Sequence, residues 1–331
     1  KSEGVSPNDV TFICILKACS TVGAVRKGKQ IHNDIVTRGL MKKDSVLGNA
    51  LVNMYAKCGV LANAQQVLNE IPVRYATSWN ALIAAYAQQD QGLEAINCFE
   101  RMQSEGIFPD TITFVCILKA CGNTGSIDKG DHIYEEIVSK GLLGKDLVLG
   151  NALVDMYVKC DMVMKAQKVL DKLPIRDVVS WNGLIAGYAQ QGKCHEALDC
   201  FVRMQNEGLS PDVVTFIRIL KACANTGAID KGKAIHEQIV NEGFLEKDTV
   251  LGNALVDFYA KCGALLEAHH VIEELPIRNV ECWSTLIAGY VKAERAREAL
   301  LCFEEMQSEG LFPDVVTFTC VLRACGHVGA I

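Results

Sequence analysis

Fifteen cysteines have the most obvious chemical potential in this 331-residue chain, because thiolates form disulfides and bind zinc. No C-x-x-C pair occurs, and the C-x4-C spacing of Cys14 and Cys19 places the two thiols on different faces of a helix. Most of the cysteines recur at steps of 102 residues, each series in one apolar helical position. A free cysteine behaves as a small buried hydrophobe. We therefore expect core thiols in a reducing compartment, without disulfide, structural metal or cofactor.

Two further patterns could bind ligands. GAVRKGKQ (23–30) nearly matches the phosphate loop G-x-x-x-x-G-K-[ST], and GAIDKGKA repeats it from Gly227. Both lack the Ser/Thr that would bind Mg²⁺, and no strand precedes either, so we interpret each as a joint between two helices. The seven histidines are scattered, and His269 and His270 would face different directions on a helix. We expect no histidine site.

The elements that hold these residues repeat with the same period. Trp79, Trp181 and Trp283 fall at equal steps of 102 residues, and each period contains three unlike units of 36, 31 and 35 residues. The predicted units are 9–44, 45–75 and 76–110; 111–146, 147–177 and 178–212; and 213–248, 249–279 and 280–314. Residues 1–8 match the end of a unit and residues 315–331 the start of one, so we expect a piece of a longer protein.

Each unit has the pattern of a helix pair. From Trp79, apolar residues fall at i, i+3, i+4 and i+7, which is one stripe of a first helix. A second helix follows and ends at Gly106, and Asp110 can cap the next unit. No sustained alternation of period two occurs. We therefore predict an all-α fold, a right-handed superhelical solenoid of stacked helix-turn-helix repeats, with first helices on the inner face.

The charge and hydropathy of the chain argue against two classes of protein, nonspecific polyanion binders and membrane-spanning proteins. The net charge of −6 predicts only weak nonspecific attraction to polyanions. No uncharged apolar run reaches the length of about 18 residues that a membrane helix needs. The composition therefore predicts a repeat scaffold whose binding depends on specific contacts.

The alternating lengths, together with VVSWN…GYAQ…EAL…F…M…EG…PD (178–212) and the recurring LGNALV-x-x-Y-x-KC, resemble the pentatricopeptide repeat (PPR) family. More narrowly, they resemble its PLS subclass, which strings standard, long and short motifs in triplets, as in plant organellar RNA editing factors. Tetratricopeptide arrays keep one length of about 34 residues. The resemblance implies a single-stranded RNA partner read at about one base per repeat, and a mitochondrial or chloroplast location.

The resemblance also implies that the fifth and last residues of each motif form a base-reading pair. In the standard motifs these pairs are Asn80 with Asp110, Asn182 with Asp212, and Ser284 with Asp314. In the short motifs they are Asn49 with Tyr75, Asn151 with Asp177, and Asn253 with Asn279. An Asn amide offers a donor and an acceptor to a base, and Asp can orient that amide or hold a water. The family code gives the target 5′-N-U-N-U-U-N-C-G-3′, in which the base at Asn49 and Tyr75 stays open. Base reading requires side chains that open onto a groove.

Other positions are implied in the same way. The second residue of a motif would sandwich the base, and these residues are Val46, Thr77, Val148, Val179 and Val250. Glu281 breaks that series, which puts the Ser284 assignment in doubt. Lysines near the ends of first helices would contact phosphates, and these are Lys57, Lys159, Lys261 and Lys292. The long motifs carry Ile13, Val115, Ile217 and Thr319 at the fifth position, so we expect them to be spacers or weak readers.

Editing factors of this subclass use a C-terminal deaminase-like domain or partner, which needs H-x-E and C-x-x-C around zinc. Neither motif occurs here, so we predict an RNA-address module and not an enzyme, with the deaminase-like domain beyond residue 331 or in trans. The resemblance also implies accessory organellar editing factors as partners. The alternative is a protein-binding scaffold, since solenoids also wrap peptides and helices. An engineered array is less favoured, because the copies differ at many surface positions.

Overall fold

The computed structural model describes residues 7–42, 45–246 and 248–328. In these ranges all regular secondary structure is helical: nineteen α-helices and a single 3-10 turn, Leu40–Lys42. The chain divides into two compact units, Lys1–Ile175 and Arg176–Ile331. The predicted all-α class of stacked helix-turn-helix repeats is confirmed.

The first unit contains α1 (Asp9–Val22), α2 (Val25–Thr37), α3 (Ser45–Lys57), α4 (Leu61–Glu70), α5 (Ala76–Gln88), α6 (Gly92–Ser104), α7 (Thr111–Thr124), α8 (Ile127–Ser139), α9 (Leu147–Lys159) and α10 (Val163–Lys172). The second contains α11 (Val178–Gln190), α12 (Cys194–Asn206), α13 (Val213–Thr226), α14 (Ile229–Asn241), α15 (Thr249–Lys261), α16 (Leu265–Glu274), α17 (Val280–Lys292), α18 (Ala296–Ser308) and α19 (Val315–Val328).

Every odd-numbered helix begins at the first residue of a unit placed from the sequence. Two sets of helices account for part of the length differences, and the connecting segments account for the rest. The first helices of the 36-residue units have 14 residues, for example α7, and the second helices of the 31-residue units have 10, for example α10. The division into long, short and standard motifs stays a prediction.

Within each of the two compact units, the odd-numbered helices pack against one another in series. The even-numbered helices pack on the odd helices that flank them and reach each other only through side chains. The odd helices of each compact unit therefore approach one another more closely than the even helices do. Trp79 and Trp181 are fully buried and anchor this packing.

The turns follow the chemistry of single residues. Gly106 takes φ = +77° just after α6, a conformation that favours glycine, and Asp110 then caps α7 through a hydrogen bond from the Thr113 amide at 2.8 Å. The phosphate-loop pattern is a helix joint: Gly23 ends α1 at φ = +67°, and Gly28 lies inside α2 against Met54. None of the described helices has the length and apolar character needed to cross a bilayer.

The cysteines occupy mainly helical core positions as free thiols. Cys19, Cys121 and Cys223 are buried, and the thiol of Cys160 lies 3.7 Å from the carbonyl oxygen of Cys121. Cys14 is exposed, so the expectation of a core thiol is wrong at that position.

Candidate nucleic-acid interface

Two of the predicted pairs are joined directly by hydrogen bonds. The amide nitrogen of Asn80, five residues into its motif, donates to both carboxylate oxygens of Asp110 at 3.0 Å. Asn182 donates in the same way to Asp212 Oδ1 at 3.0 Å. The fold brings these partners together because the last residue of one motif is also the N-cap of the next odd helix, which packs beside the first.

The same carboxylates hold the helix ends. Asp110 and Asp212 each form a capping box, with Thr113 and Thr215 respectively. Partial burial alone would raise the pKa of Asp110, but the hydrogen bonds from Thr113 and Asn80 outweigh it and hold that pKa below its usual value. The corresponding contacts, together with Arg218, lower the pKa of Asp212 against the same effect of burial. Both carboxylates are therefore anionic at neutral pH.

The exposure of the two partners differs. Asn80 and Asn182 retain only 6% and 5% of their accessible surface, whereas Asp110 and Asp212 are exposed. The side-chain oxygen of Asn80, Oδ1, also accepts a hydrogen bond from the Thr113 hydroxyl at 2.5 Å. The amides are thus less open than we expect for direct base reading, and a molecule on the odd-helix face meets the carboxylate first.

The first short-motif pair is arranged differently. Asn49 is buried, donates to the Ser45 carbonyl oxygen at 2.7 Å and accepts from the Ser78 hydroxyl. These contacts turn its amide toward the neighbouring helix, while Tyr75 is exposed. In the next short motif Asn151 is half-buried on α9 in the first unit, and Asp177 caps α11 at the start of the second unit.

In the third period, Glu281 binds the fifth-position residue Asn253. Its carboxylate accepts a hydrogen bond from the Asn253 amide at 2.6 Å. The predicted partner of Asn253, Asn279, caps α17 through the Cys282 amide at 3.0 Å. One exposed acid at a second position therefore engages the fifth residue of the preceding motif.

In the last standard motif a threonine bridges the predicted pair. The Ser284 and Thr317 hydroxyls lie 2.6 Å apart, and Asp314 Oδ1 accepts from the Thr317 hydroxyl at 2.7 Å. Ser284 is buried, whereas Asp314 is exposed. The carboxylate is again the outer member of the pair.

In each of the two compact units, the second-position residues form an exposed ladder on the odd helices. Val46, Val148, Val179 and Val250 are 51–62% exposed, and Thr77 is also exposed. The structure adds four exposed apolar residues from the long motifs that we did not select from the sequence: Val10, Ile112, Val214 and Val316. The signal was their common register with Val46. Each of these first helices therefore holds a side chain in solvent at its second residue.

The four predicted phosphate lysines fall into two classes. All are exposed at the ends of odd helices. Lys159 and Lys261 form ion pairs with Asp155 and Asp257, one helical turn earlier, at 2.9 and 2.7 Å. At the corresponding positions before Lys57 and Lys292 the chain has the neutral residues Asn53 and Ala288. The positive charges of Lys57 and Lys292 are therefore less compensated than those of Lys159 and Lys261.

A groove with a volume of about 570 Å³ unites these positions in the second unit. It lies among α15, α17 and the start of α19. Its lining contains one predicted reading pair, two second-position residues and two predicted phosphate lysines: Ser284, Asp314, Glu281, Val316, Lys261 and Lys292. Its volume is within the range of about 300–1,000 Å³ that is usual for ligand pockets.

Comparison with known proteins decides the family. A model of the PPR repeat family matches residues 76–123, 176–225 and 278–327, and a PPR repeat model matches 112–142 and 151–178. The chain belongs to the pentatricopeptide repeat family.

Several PPR proteins of Arabidopsis thaliana are similar over nearly the whole chain. Pentatricopeptide repeat-containing protein At4g18520, chloroplastic, is 37% identical over 97% of this chain and 52% of its own length. Pentatricopeptide repeat-containing protein At2g03380, mitochondrial, is 34% identical over 100% of this chain and 48% of its own. The chain thus spans about half the length of these curated relatives.

Solved structures share the PPR fold. PPR10 from maize superposes with a TM-score of 0.78 at 22% identity, over 99% of this chain and 47% of PPR10. PPR10 in complex with an 18-nt psaJ RNA element gives a TM-score of 0.74 at 21% identity, over 100% of this chain and 51% of that one.

The fifth positions of the predicted long motifs set these PPR repeats apart from the others. Ile13, Val115 and Ile217 are half-buried apolar residues. Thr319 is exposed, but its hydroxyl donates to the Val315 carbonyl oxygen of its own helix at 2.7 Å. These positions offer a base little hydrogen bonding.

Proposed function

We propose that this PPR chain binds single-stranded RNA on its odd-helix face, with about one base per repeat. The observation that carries the proposal is the groove of about 570 Å³, because it gathers residues selected for three separate roles. Ser284 and Asp314 would face a base edge, and Lys292 a phosphate. PPR10, which shares the fold, has been solved with a bound RNA element.

The exposed carboxylates suggest how a base is selected. An ionised Asp only accepts hydrogen bonds. Uracil and guanine each present a ring N–H donor on the Watson–Crick edge, whereas cytosine and adenine present a ring acceptor there. Asp110, Asp212 and Asp314 would therefore favour U or G. The fifth residue of the motif would then distinguish U from G, since the amides of Asn80 and Asn182 differ from the hydroxyl of Ser284.

The base would enter between successive members of the exposed ladder. Flat contact between a base and an apolar or aromatic side chain tolerates any base. At the motif 178–212 the two walls would be Val179 and Val214, 62% and 45% exposed. Second-position residues would thus supply affinity, and the reading pairs specificity.

We further propose PLS-type organisation and a role as the target-recognition part of an organellar C-to-U RNA editing factor. Supporting this is the threefold 36-31-35 pattern. The deaminase-like activity would come from a C-terminal domain or a partner in trans, and accessory editing factors would contact the long motifs. Relatives named as chloroplastic and mitochondrial support an organellar location. This segment would itself perform no catalysis.

A titration with defined RNA tests the binding. Fluorescein-labelled 5′-AUAUUACG-3′ fits the predicted target, and its controls are a scrambled RNA of equal composition and 5′-ACACCACG-3′. We expect at least about tenfold tighter binding of the first, the effect of about 1.4 kcal/mol. Equal affinity for all three would reject base reading. Absence of RNA binding would favour the protein-binding scaffold instead.

A further inference from the structure

A cluster of metal-ligand type lies on the even helices of the second unit, on the side opposite the groove. His269 on α16 and Cys302 and Glu305 on α18 place one ligand atom each within 4.8 Å of one another. The His269 Nε2 and Glu305 carboxylate lie 3.1 Å apart. Within the described ranges this is the single group of its kind.

The first two periods carry a different set at this register. There the residues are Gln65, Cys98 and Arg101, then Gln167, Cys200 and Arg203. In the first period the Cys98 thiol donates to Gln65 Oε1 at 3.4 Å, and the Arg101 guanidinium lies over the Trp79 ring at 5.4 Å. The cysteine is thus shared by all three periods, and its two neighbours change together.

This double exchange converts a cationic cluster into one that attracts cations. Replacing Arg by Glu makes the site two charges more negative, and His supplies a neutral nitrogen ligand. The adjacent groove of about 260 Å³ is lined by Glu273, Glu305 and Glu309 against a single Arg278, so acids outnumber the base there. Packing alone gives no reason for the change, since the Gln–Cys–Arg set fits the same scaffold.

We propose that His269, Cys302 and Glu305 bind Zn²⁺, with water in the fourth position. One nitrogen, one thiolate and one carboxylate form a ligand set suited to zinc. Tetrahedral zinc with bonds of about 2.0–2.3 Å places its ligand atoms about 3.5 Å apart. The three ligand atoms lie within 4.8 Å of one another, so binding would require side-chain rotations that bring them to these distances. Such an ion would link α16 to α18.

Zinc binding would depend on access of the ion from solvent and on loss of the proton from the Cys302 thiol. The side chains of His269 and Glu305 are 26% and 49% exposed, so an ion can enter from solvent, while Cys302 forms the buried floor. Burial raises the pKa of the Cys302 thiol to about 12. The ion must therefore displace the thiol proton when it binds.

The test is a Co²⁺ titration of the reduced full chain, followed by the thiolate-to-cobalt absorption band. We expect saturation at one equivalent and displacement by Zn²⁺. Quenching should affect Trp283, whose ring centroid lies 5.9 Å from that of His269. The matched control is H269Q/E305R, which installs the residues of the sister periods. It should weaken binding by more than about tenfold.

Two further variants complete the design. Cys302→Ser should remove the absorption band while circular dichroism remains unchanged. The reciprocal Q65H/R101E exchange should create a second Co²⁺ equivalent in the first unit. Equal binding by the wild-type chain and H269Q/E305R would overturn the proposal. Retention of the full band in Cys302→Ser would overturn the three-ligand assignment.

Discussion

The motifs 178–212 and 280–314, both predicted to be standard, have helix pairs of equal length but differ in most of the side chains that could contact a ligand. In the first motif a buried Asn182 is bound to the Asp212 cap, and the second position is Val179. In the second motif Ser284 bonds to a threonine hydroxyl, and the second position is the acidic Glu281. On the outer side of the third period His269 and Glu305 have replaced glutamine and arginine.

The difference shows where a repeat scaffold tolerates change. Trp181 and Trp283 remain buried, and an acid, Asp212 or Asp314, stands at the helix start in both motifs. These residues stabilise the helix pair itself. The second position lies in solvent, and the buried fifth position holds either Asn182 or Ser284, so both positions can vary. Recognition chemistry can therefore change from repeat to repeat while the backbone stays the same.

The largest expected effect is a loss of stability when Asp212 is removed, because this residue both caps a helix and accepts a hydrogen bond from Asn182. Asp212→Ala loses a helix cap, about 1 kcal/mol, and leaves the buried Asn182 amide unsatisfied, about 1–3 kcal/mol. Asp248→Ala removes only a cap, on the Val250 and Leu251 amides of α15. Urea unfolding should show a loss of about 2–4 kcal/mol for the first and about 1 kcal/mol for the second. Equal losses would mean that the Asn182 contact adds no stability.

The next largest effect is a change of base preference. Asn182→Thr replaces the amide by a hydroxyl beside the same carboxylate, which resembles the arrangement at Ser284. At the fifth base of the predicted target we expect the preference to move from U toward G, by about 1–3 kcal/mol. Anisotropy titrations with RNAs that differ only at that base measure it. An unchanged preference for U would refute the assignment of Asn182.

The sequence predicted the repeat architecture more completely than the site. Period, helix starts and the capping role of Asp110 follow from local patterns of apolar, Gly, Pro and Asp residues. The burial of Asn80 and the capture of Asn253 by Glu281 do not, because they depend on how closely one motif packs on the next. The His269 cluster was also missed, since its ligands come from two helices and only the register comparison relates them.

A smaller effect should follow from repairing the ladder. Glu281→Val restores an apolar wall and frees the Asn253 amide from its carboxylate. We expect RNA affinity to rise about fivefold, close to the lower end of the roughly 1–3 kcal/mol that stacking of a base on an aromatic side chain contributes, because valine gives a smaller contact. Val179→Glu is the matched opposite and should lower affinity by a similar factor. If both variants bind like the wild-type chain, the second positions do not touch bases.

The smallest effect concerns the lysines, which separate into paired and less compensated members of one series. For single strands each neutralised phosphate contributes about 0.7 to the slope of log affinity against log salt. Lys57→Gln should lower that slope by about this amount. Lys159→Gln should lower it less, because Asp155 already neutralises the ammonium group at 2.9 Å. Removing that acid in Asp155→Asn should make Lys159 behave like Lys57. If the slope in all these variants equals that of the wild-type chain, the lysines at this register do not contact phosphates. The affinity would then come from the bases alone.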